Sequence, residues 1–133
     1  MKDQSKQTFV RVAVGVIVRD GQVCISLRPN HLHKGGFWEF PGGKIDAGET
    51  VESALARELG EELGIEVIST SALIEVDWAY PEKNVRLEVL KVDEFIGEPR
   101  GLENQEVRWV PIGGLTDYQF PEANRAIVEA LLS

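Results

Sequence analysis

The sequence predicts an α+β fold, arranged as an α/β/α sandwich, and three observations support this prediction. Segments rich in β-branched residues lie before and after one long helical segment, and a second helical segment closes the chain. This order of strands and helices is typical of a sheet covered by helices. The 133 residues are 43% hydrophobic and 27% charged, which is typical of a single globular domain spanning 1–133.

The first part of the predicted sheet is a hairpin. Residues 8–18 are rich in β-branched side chains and predict a strand, Asp20-Gly21 is a turn signal, and 22–27 predict the returning strand. Residues 28–36 contain proline and glycine and predict a loop. A short strand is expected at 37–40, and Pro41-Gly42-Gly43 is expected to interrupt regular structure.

The best-defined element is a helix over 51–63. Thr50 is a suitable N-cap, Gly64 is a suitable C-cap, and an apolar residue recurs at every fourth position from Val51 to Leu63. Strands are expected at 72–80 and 85–96, joined by a turn at 81–84, and at 107–110. Pro121 is expected at the first position of a final helix, and the apolar side of this helix lies within residues 122–132.

Composition excludes several classes of function. The chain has one cysteine, Cys24, no apolar run of membrane-spanning length, and a polar N-terminus without a signal core, so we expect a cytoplasmic protein. The net charge of −8 disfavours a nucleic acid polymer as partner. It is compatible with a small phosphate-bearing ligand when divalent cations lie between phosphate and carboxylate. We expect a monomer without a membrane partner.

The main chemical signal is an acidic cluster on the first helix. Glu58, Glu61 and Glu62 follow an i, i+3, i+4 spacing, so their side chains project from one face and repel one another. One interpretation is a solvated acidic face. The other is a site for hard divalent cations, which take oxygen ligands. The glycine-rich turn that precedes this helix favours a site, because it exposes backbone groups to a ligand.

Residues 43–65 carry a complete motif. Gly43, Glu49 and the run RELGEELGI (57–65) stand at the spacing G-x5-E-x7-R-E-U-x-E-E-x-G-U, where U is aliphatic, and every specified position matches. Average composition gives this match a chance on the order of 10⁻⁹ per start point. The segment resembles the Nudix box, so the chain is identified as a member of the Nudix hydrolase family.

The resemblance implies a fold with a mixed β-sheet between helices and an enzyme that cleaves a pyrophosphate linkage with Mg²⁺ or Mn²⁺. It implies metal ligation by Glu58, Glu61 and Glu62, with Gly42 in the exposed turn as a further ligand. Several catalytic roles follow from it. Arg57 orients carboxylates, Glu49 supports Arg57 or the metals, Gly43 permits the loop–helix–loop shape, and the proton acceptor is Glu58, Glu106 or, preferably, Glu103.

The stretches FWEFPGGK (37–44), GEP (97–99) and FPEAN (120–124) are similar, in order and spacing, to the MutT-type 8-oxo-dGTP diphosphatases. This similarity implies hydrolysis of 8-oxo-dGTP to the monophosphate and pyrophosphate. Asn124 would read the purine edge, because an amide both donates and accepts hydrogen bonds. The other substrate-binding residues it suggests are Arg28, Trp38, Phe40, Lys44 and Lys83, with Trp78 and Tyr80 as further stacking candidates.

Each substrate residue has a structural alternative. Phe40 and Trp38 would otherwise be core residues, Arg28 an exposed loop cation, and Asn124 a solvent-facing residue. Lys83 stands where MutT-type enzymes use an arginine, and lysine cannot stack or fork in the same way. A cytidine or methylated-cytidine triphosphate pyrophosphohydrolase is therefore a second interpretation, and a non-catalytic nucleotide-binding module is a third. His31 and His33 are expected to be solvated or gating residues.

Overall fold

The computed structural model of the protein describes residues 8–29 and 35–133, so the prediction for His31 and His33 falls outside it. Seven strands and two α-helices make up most of this part of the chain. In chain order they are β1 (Val10–Arg19), β2 (Gln22–Leu27), β3 (Trp38–Glu39), β4 (Gly42–Lys44), α1 (Val51–Leu63), β5 (Glu66–Tyr80), β6 (Lys83–Ile96), β7 (Val107–Pro111) and α2 (Glu122–Leu132).

The strands form one mixed sheet in the order β3-β2-β1-β6-β5, with β4 also paired to β1 and β7 to β2. β1 and β6 run parallel, with Val10 opposite Val85 and Ile17 opposite Val92. The other strand pairs are antiparallel. This arrangement confirms the mixed sheet that the sequence predicts.

The sheet has a buried core on each face, because neighbouring residues of a strand point to opposite sides. Val14 and Val16 of β1 belong to the cluster that includes Ile127 of α2. Ala13 and Ile17 of β1 belong to the cluster that packs against α1. The sheet therefore lies between the two helices, and the predicted α/β/α sandwich is confirmed.

Helix α1 has the ends and the buried face that its sequence predicts. The Thr50 side chain accepts a hydrogen bond of 3.1 Å from the Ser53 N–H, and the helix ends at Gly64 in the left-handed conformation. Leu55, Leu59 and Leu63 are fully buried against the sheet. The opposite side of the helix is thus left for its charged residues.

Some predicted boundaries are wrong. Gly42 and Gly43 do not interrupt regular structure but form β4 with Lys44. Glycine lets strands β4 and β1 approach closely, because a Cβ on Gly42 would lie 2.0 Å from the Ala13 carbonyl oxygen. Strand β5 begins at Glu66 rather than at Ala72. It lies at the sheet edge and is mostly exposed, so its polar first half carries no apolar alternation.

Two further corrections concern the chain around the long hairpin and the last helix. The turn between β5 and β6 is shorter than predicted, so Lys83 begins β6 instead of lying in the turn. Pro121 is the residue before α2 rather than its first residue, and a 3₁₀ helix at Ile112–Asp117 was not predicted. No helix within 8–29 and 35–133 is both long enough and apolar enough to cross a bilayer.

Candidate active site

Arg57 organises the acidic face of α1. Its Nε and Nη2 donate to both carboxylate oxygens of Glu49 at 2.8 and 2.9 Å, and its Nη1 donates to Glu58 at 2.9 Å. A third carboxylate, that of Glu61, lies 3.5 Å from Nη1. The fork geometry of arginine suits this double contact. Glu49 therefore contacts Arg57, which is the first of the two partners that the resemblance implies for it, the other being the metal ions.

The carboxylate of Glu58 is packed against the glycine-rich strand. A Cβ built on Gly43 would lie 2.3 Å from the Glu58 carboxyl carbon, so any larger residue at this position would displace the Glu58 carboxylate. The Glu58 side chain is 17% exposed, whereas the Glu61 side chain is 56% exposed. Strand β4 and Arg57 thus fix Glu58 from two sides, while Glu61 extends towards solvent.

Glu62 has the most strongly perturbed environment of the three glutamates. Burial, the adjacent Glu58 carboxylate and the charges of Glu39 and Glu103 raise its pKa well above the usual range. Adjacent carboxylates that repel in this way are the donor set that a hard divalent cation prefers. The residues present therefore fit such an ion. Within 8–29 and 35–133, no three acidic, imidazole or thiol side chains are already positioned to coordinate one metal ion.

A small pocket lies beside this cluster and collects most of the predicted substrate residues. Arg28, Phe40, Lys83 and Asn124 line one cavity of about 130 Å³, together with Gly42, which was predicted as a metal ligand. Its remaining walls are Val12, Val14, Glu39, Tyr80, Val85, Leu87, Pro121 and Ala123. A whole ligand normally needs about 300 Å³ or more. The cavity therefore suits one part of a ligand rather than the whole of it.

Two contacts connect this pocket to the acidic cluster. Gly42 lines the pocket, and the next residue, Gly43, packs on Glu58. Glu39 lines the pocket as well, and its charge contributes to the raised pKa of Glu62. A ligand whose base occupies the pocket would thus carry its phosphates towards the glutamates.

The sequence prediction did not include Glu39 among the site residues. Arg28 Nη1 donates to Glu39 Oε1 at 2.6 Å, and both side chains are mostly buried. Burial raises the pKa of Glu39, and the Arg28 charge opposes this effect. The sequence did contain a signal for this residue, because Glu39 lies between Trp38 and Phe40. A carboxylate between aromatic residues of a strand needs a cation or a hydrogen-bond donor as its partner.

Asn124 reaches the pocket because Tyr80 fixes the start of α2. Pro121 offers no side-chain cap to this helix. The Tyr80 hydroxyl instead accepts a hydrogen bond of 3.0 Å from the Ala123 N–H, so it satisfies a donor of the first turn. Asn124 is the next residue and is half-buried. The pocket therefore joins the end of β5 to the start of α2.

Glu103 lies across a second cavity, of about 300 Å³, whose lining includes Arg28, Asn104 and Glu106. Arg28 lines both cavities and so stands between the base pocket and this loop. Glu106 forms an ion pair with Arg108. Glu103 is exposed, which distinguishes it from the paired Glu106 as a candidate proton acceptor.

Three predicted residues lie outside the base pocket. The rings of Trp38 and Tyr118 pack edge to face with their centroids 5.5 Å apart, and the Arg108 guanidinium lies over the Trp38 ring. Lys44 is exposed, and its carbonyl oxygen accepts from Arg57 Nη2 at 3.1 Å. Trp78 lines a surface groove beside α2. Phe40 is a core residue, 3% exposed, and it also lines the pocket, so its predicted substrate role stays a prediction.

Comparison with known proteins decides the family. The sequence profile described as NUDIX domain matches residues 13–130. The chain belongs to the Nudix family. It is a hydrolase of the MutT type, as its motif predicts, and Nudix hydrolases generally need a divalent metal ion.

Three relatives illustrate this placement of the Nudix chain. It is 41% identical to the "8-oxo-dGTP diphosphatase" of Haemophilus influenzae, with 94% of this chain and 93% of that protein covered. It is 30% identical to the "CTP pyrophosphohydrolase" of Escherichia coli, with coverage of 94% and 93%. A structure of MutT, from work on the Aliivibrio salmonicida and Vibrio cholerae proteins, shares 36% identity and superposes with a TM-score of 0.80, over 92% of this chain and 95% of that one.

Proposed function

We propose that this Nudix hydrolase converts 8-oxo-dGTP to 8-oxo-dGMP and pyrophosphate with Mg²⁺ and so cleans the nucleotide pool. The observation that carries the proposal is the single pocket that joins Arg28, Phe40 and Asn124 beside the glutamates of α1. The relatives named 8-oxo-dGTP diphosphatase, at 36–42% identity for the first three, support the same substrate.

The pocket suits a purine with a guanine-like edge. The amide of Asn124 donates and accepts, so it can match an edge that carries both kinds of group. Phe40 offers an apolar surface, and its ring stacks on Phe120 with centroids 5.2 Å apart, which fixes its plane. The charged residues Arg28 and Lys83 also line the pocket. The base would therefore contact the apolar surface of Phe40, and the phosphates would lie near the charged residues.

In this proposal Glu58, Glu61 and Glu62 would hold the metal ions, together with the backbone of Gly42. When bound, Mg²⁺ neutralises the triphosphate and makes a bound water more acidic. Arg57 keeps Glu49 and Glu58 in fixed positions through its fork. This preorganisation matters because phosphoryl transfer depends on position and charge.

Hydrolysis requires a base for the attacking water. The water oxygen bonds to phosphorus, the bridging oxygen leaves with its electron pair, and one water proton goes to a carboxylate. Glu58 is a weak candidate, since it accepts from Arg57 at 2.9 Å and is packed on Gly43. Glu103 is exposed and lies on a loop that shares a cavity with Arg28. We therefore assign the proton to Glu103.

A cytidine triphosphate is the second candidate substrate. The relative named CTP pyrophosphohydrolase matches over 125 residues at 30% identity, against 126 residues at 41% identity for the 8-oxo-dGTP diphosphatase of Haemophilus influenzae. Lys83 favours this alternative, because its ammonium cannot stack on a purine as an arginine does. CTP, dCTP and 5-methyl-dCTP are therefore the competing ligands that any test must include.

The proposal covers free nucleotides rather than a nucleic acid polymer. Arg11, Arg19, Arg86 and Arg108 each form an ion pair with a carboxylate, so they offer little unpaired positive charge to a phosphate backbone. We also propose that the enzyme acts as a monomer in the cytoplasm.

Asn124→Ala tests the base-reading role. We expect KM for 8-oxo-dGTP to rise by about tenfold or more, since the loss of a bidentate contact costs about 1–3 kcal/mol. The kcat should change little, and KM for dCTP should stay nearly constant. Steady-state kinetics on both nucleotides measures this.

Asn84→Ala is the matched control, because Asn84 is also half-buried but does not line the pocket. It should leave both KM values unchanged. Equal effects of Asn124→Ala on the purine and the cytidine nucleotide would remove the base-reading role.

A further inference from the structure

In the loop that carries Glu103, the Gln105 side chain makes two hydrogen bonds. The Gln105 Oε1 accepts a hydrogen bond of 2.9 Å from the backbone N–H of Glu103. Its Nε2 donates to the backbone carbonyl of Glu62 at 3.0 Å. One amide thus bridges the candidate proton acceptor and a glutamate of the acidic cluster.

The two partners define the orientation of this amide. A backbone N–H only donates and a carbonyl only accepts, so the reversed amide would lose both hydrogen bonds. Neither aspartate, glutamate nor an alkyl side chain can supply the same pair. Gln105 is half-buried, while its neighbours Glu103, Asn104 and Glu106 are exposed. The side chain is therefore turned inward, against α1, within an otherwise solvent-facing loop.

The loop also has backbone hydrogen bonds, among them that of the Asn104 N–H to the Gly101 carbonyl at 3.2 Å, which closes a turn around Glu103. The Leu102 N–H donates to the same Glu62 carbonyl at 3.0 Å, and the Leu27 N–H donates to the Glu106 carbonyl at 3.0 Å. Between these anchors, Gln105 is the side chain that ties the Glu103 backbone to the turn of α1 that carries Glu62. The electrostatics agree with this proximity, because the negative charge of Glu103 contributes to the raised pKa of Glu62.

We propose that Gln105 is a positioning residue, which holds Glu103 in register with the glutamates of α1 so that Glu103 can take the proton from the attacking water. The inference rests on the proposed function, because it gives Glu103 that role. Gln105 itself touches neither substrate nor reacting atoms. Its removal should affect turnover rather than nucleotide binding, since the base pocket is lined by other residues.

Two variants test this inference. Gln105→Met keeps the length without hydrogen bonds, and Gln105→Glu keeps the shape but places an oxygen against the Glu62 carbonyl. For both we expect kcat to fall about tenfold or more while KM stays within about twofold. In a Glu103→Gln background, Gln105→Met should cause no further loss, because it acts through Glu103. Gln22→Met, on β2, is the control and should leave kcat unchanged.

A second measurement reports on the loop without turnover. Amide hydrogen exchange of Glu103, followed by NMR in the absence of metal, should accelerate in Gln105→Met and stay unchanged in the control. Unchanged exchange, a rise in KM alone, or an additive loss in the Glu103→Gln background would each overturn the inference. The kinetic assays use the nucleotide that the unmodified protein hydrolyses fastest. A preference for another nucleotide would thus overturn the proposed substrate and leave this test intact.

Discussion

Glu49 and Glu62 belong to one cluster, and their surroundings shift their pKa values in opposite directions. The Arg57 fork and the Asp46 backbone N–H lower the pKa of Glu49 to about 2. Burial and the neighbouring Glu58 raise the pKa of Glu62. The first glutamate is thus a fixed anion that holds Arg57. The second is an acid whose charge requires compensation by a cation.

Glu62→Gln should stabilise the metal-free protein. When the pKa of a carboxyl group is raised in the folded state, the protein loses stability as the pH rises above the ordinary carboxyl pKa near 4.3. Glutamine has no charge to acquire, so the variant avoids this loss. In EDTA we expect the free energy of unfolding at pH 8 to increase by about 1 kcal/mol, with a smaller gain at pH 5. Urea denaturation at the two pH values measures both. Metal-dependent turnover should be lost at the same time.

The stabilising effect of Mg²⁺ on the melting temperature should also shrink in Glu62→Gln. Glu66→Gln, at an exposed glutamate that begins β5, serves as the control and should leave this effect of Mg²⁺ unchanged. A destabilised Glu62→Gln protein with full turnover would contradict the account of the cluster.

Glu49→Gln should act in the opposite sense with pH. A carboxylate with a lowered pKa contributes stability that is complete above its ordinary value near 4.3 and is lost as pH falls towards 2. The variant should therefore be less stable than the unmodified protein at pH 6, and the difference should vanish near pH 2. Urea denaturation across this range measures it. A difference that does not depend on pH would show that the ion pair with Arg57 is not its source.

At the scale of elements, α1 combines a structural face with a chemical face. Leu55, Leu59 and Leu63 are buried against the sheet, and the glutamates extend from the remaining surface. Two glycines affect this helix in different ways. Gly43 faces the Glu58 carboxylate, whereas a Cβ on Gly60 would meet only the Ile65 carbonyl oxygen, at 3.8 Å.

These two glycines give a paired prediction. Gly60→Ala should stabilise the protein by about 1 kcal/mol, because alanine favours a helix more than glycine does and nothing obstructs it. Gly43→Ala should displace Glu58 and lower kcat by about 10²-fold, since small misplacements of catalytic groups have large effects. Thermal denaturation and steady-state kinetics measure the two effects. Loss of stability in Gly60→Ala, or full activity in Gly43→Ala, would contradict this account of the helix.

Elements with local signals were predictable from the sequence, and those that depend on distant partners were not. The cap at Thr50, the C-cap at Gly64 and the apolar stripe are contained in the helix itself. Strand β4 and the first half of β5 exist because β1 and β6 offer partners, as the Gly42–Ala13 approach shows. No property of a glycine pair or of a polar run signals such pairing.

The same division applies to the site. The acids of α1 lie within one motif, so the sequence places them together, but their spacing alone left a solvated face open and only the family resemblance implied metal ligation. The pocket combines Arg28, which follows β2, with residues of β6 and α2, and only the family resemblance brought Arg28, Lys83 and Asn124 together beforehand. The ion pair of Arg28 with Glu39 and the Gln105 bridge depend on how distant segments pack. The sequence around Gln105 offers no signal for its role.

At the scale of the whole molecule, the sandwich separates two tasks. The face covered by α1 carries the acids, and the pocket lies where α2 meets the sheet, with Arg28 and β4 between them. A net charge of −8 would repel a triphosphate from such a surface unless cations intervene. Under the proposed function, we therefore expect nucleotide binding to depend on a divalent metal ion.

The central claim is the choice of base, and steady-state kinetics of the unmodified protein with Mg²⁺ tests it most directly. The panel comprises 8-oxo-dGTP, dGTP, CTP, dCTP and 5-methyl-dCTP, with pyrophosphate separated from phosphate among the products. The account predicts a kcat/KM for 8-oxo-dGTP at least about tenfold above the others, which is about 1.4 kcal/mol of discrimination, and pyrophosphate as the product. A higher kcat/KM for any cytidine nucleotide would contradict it.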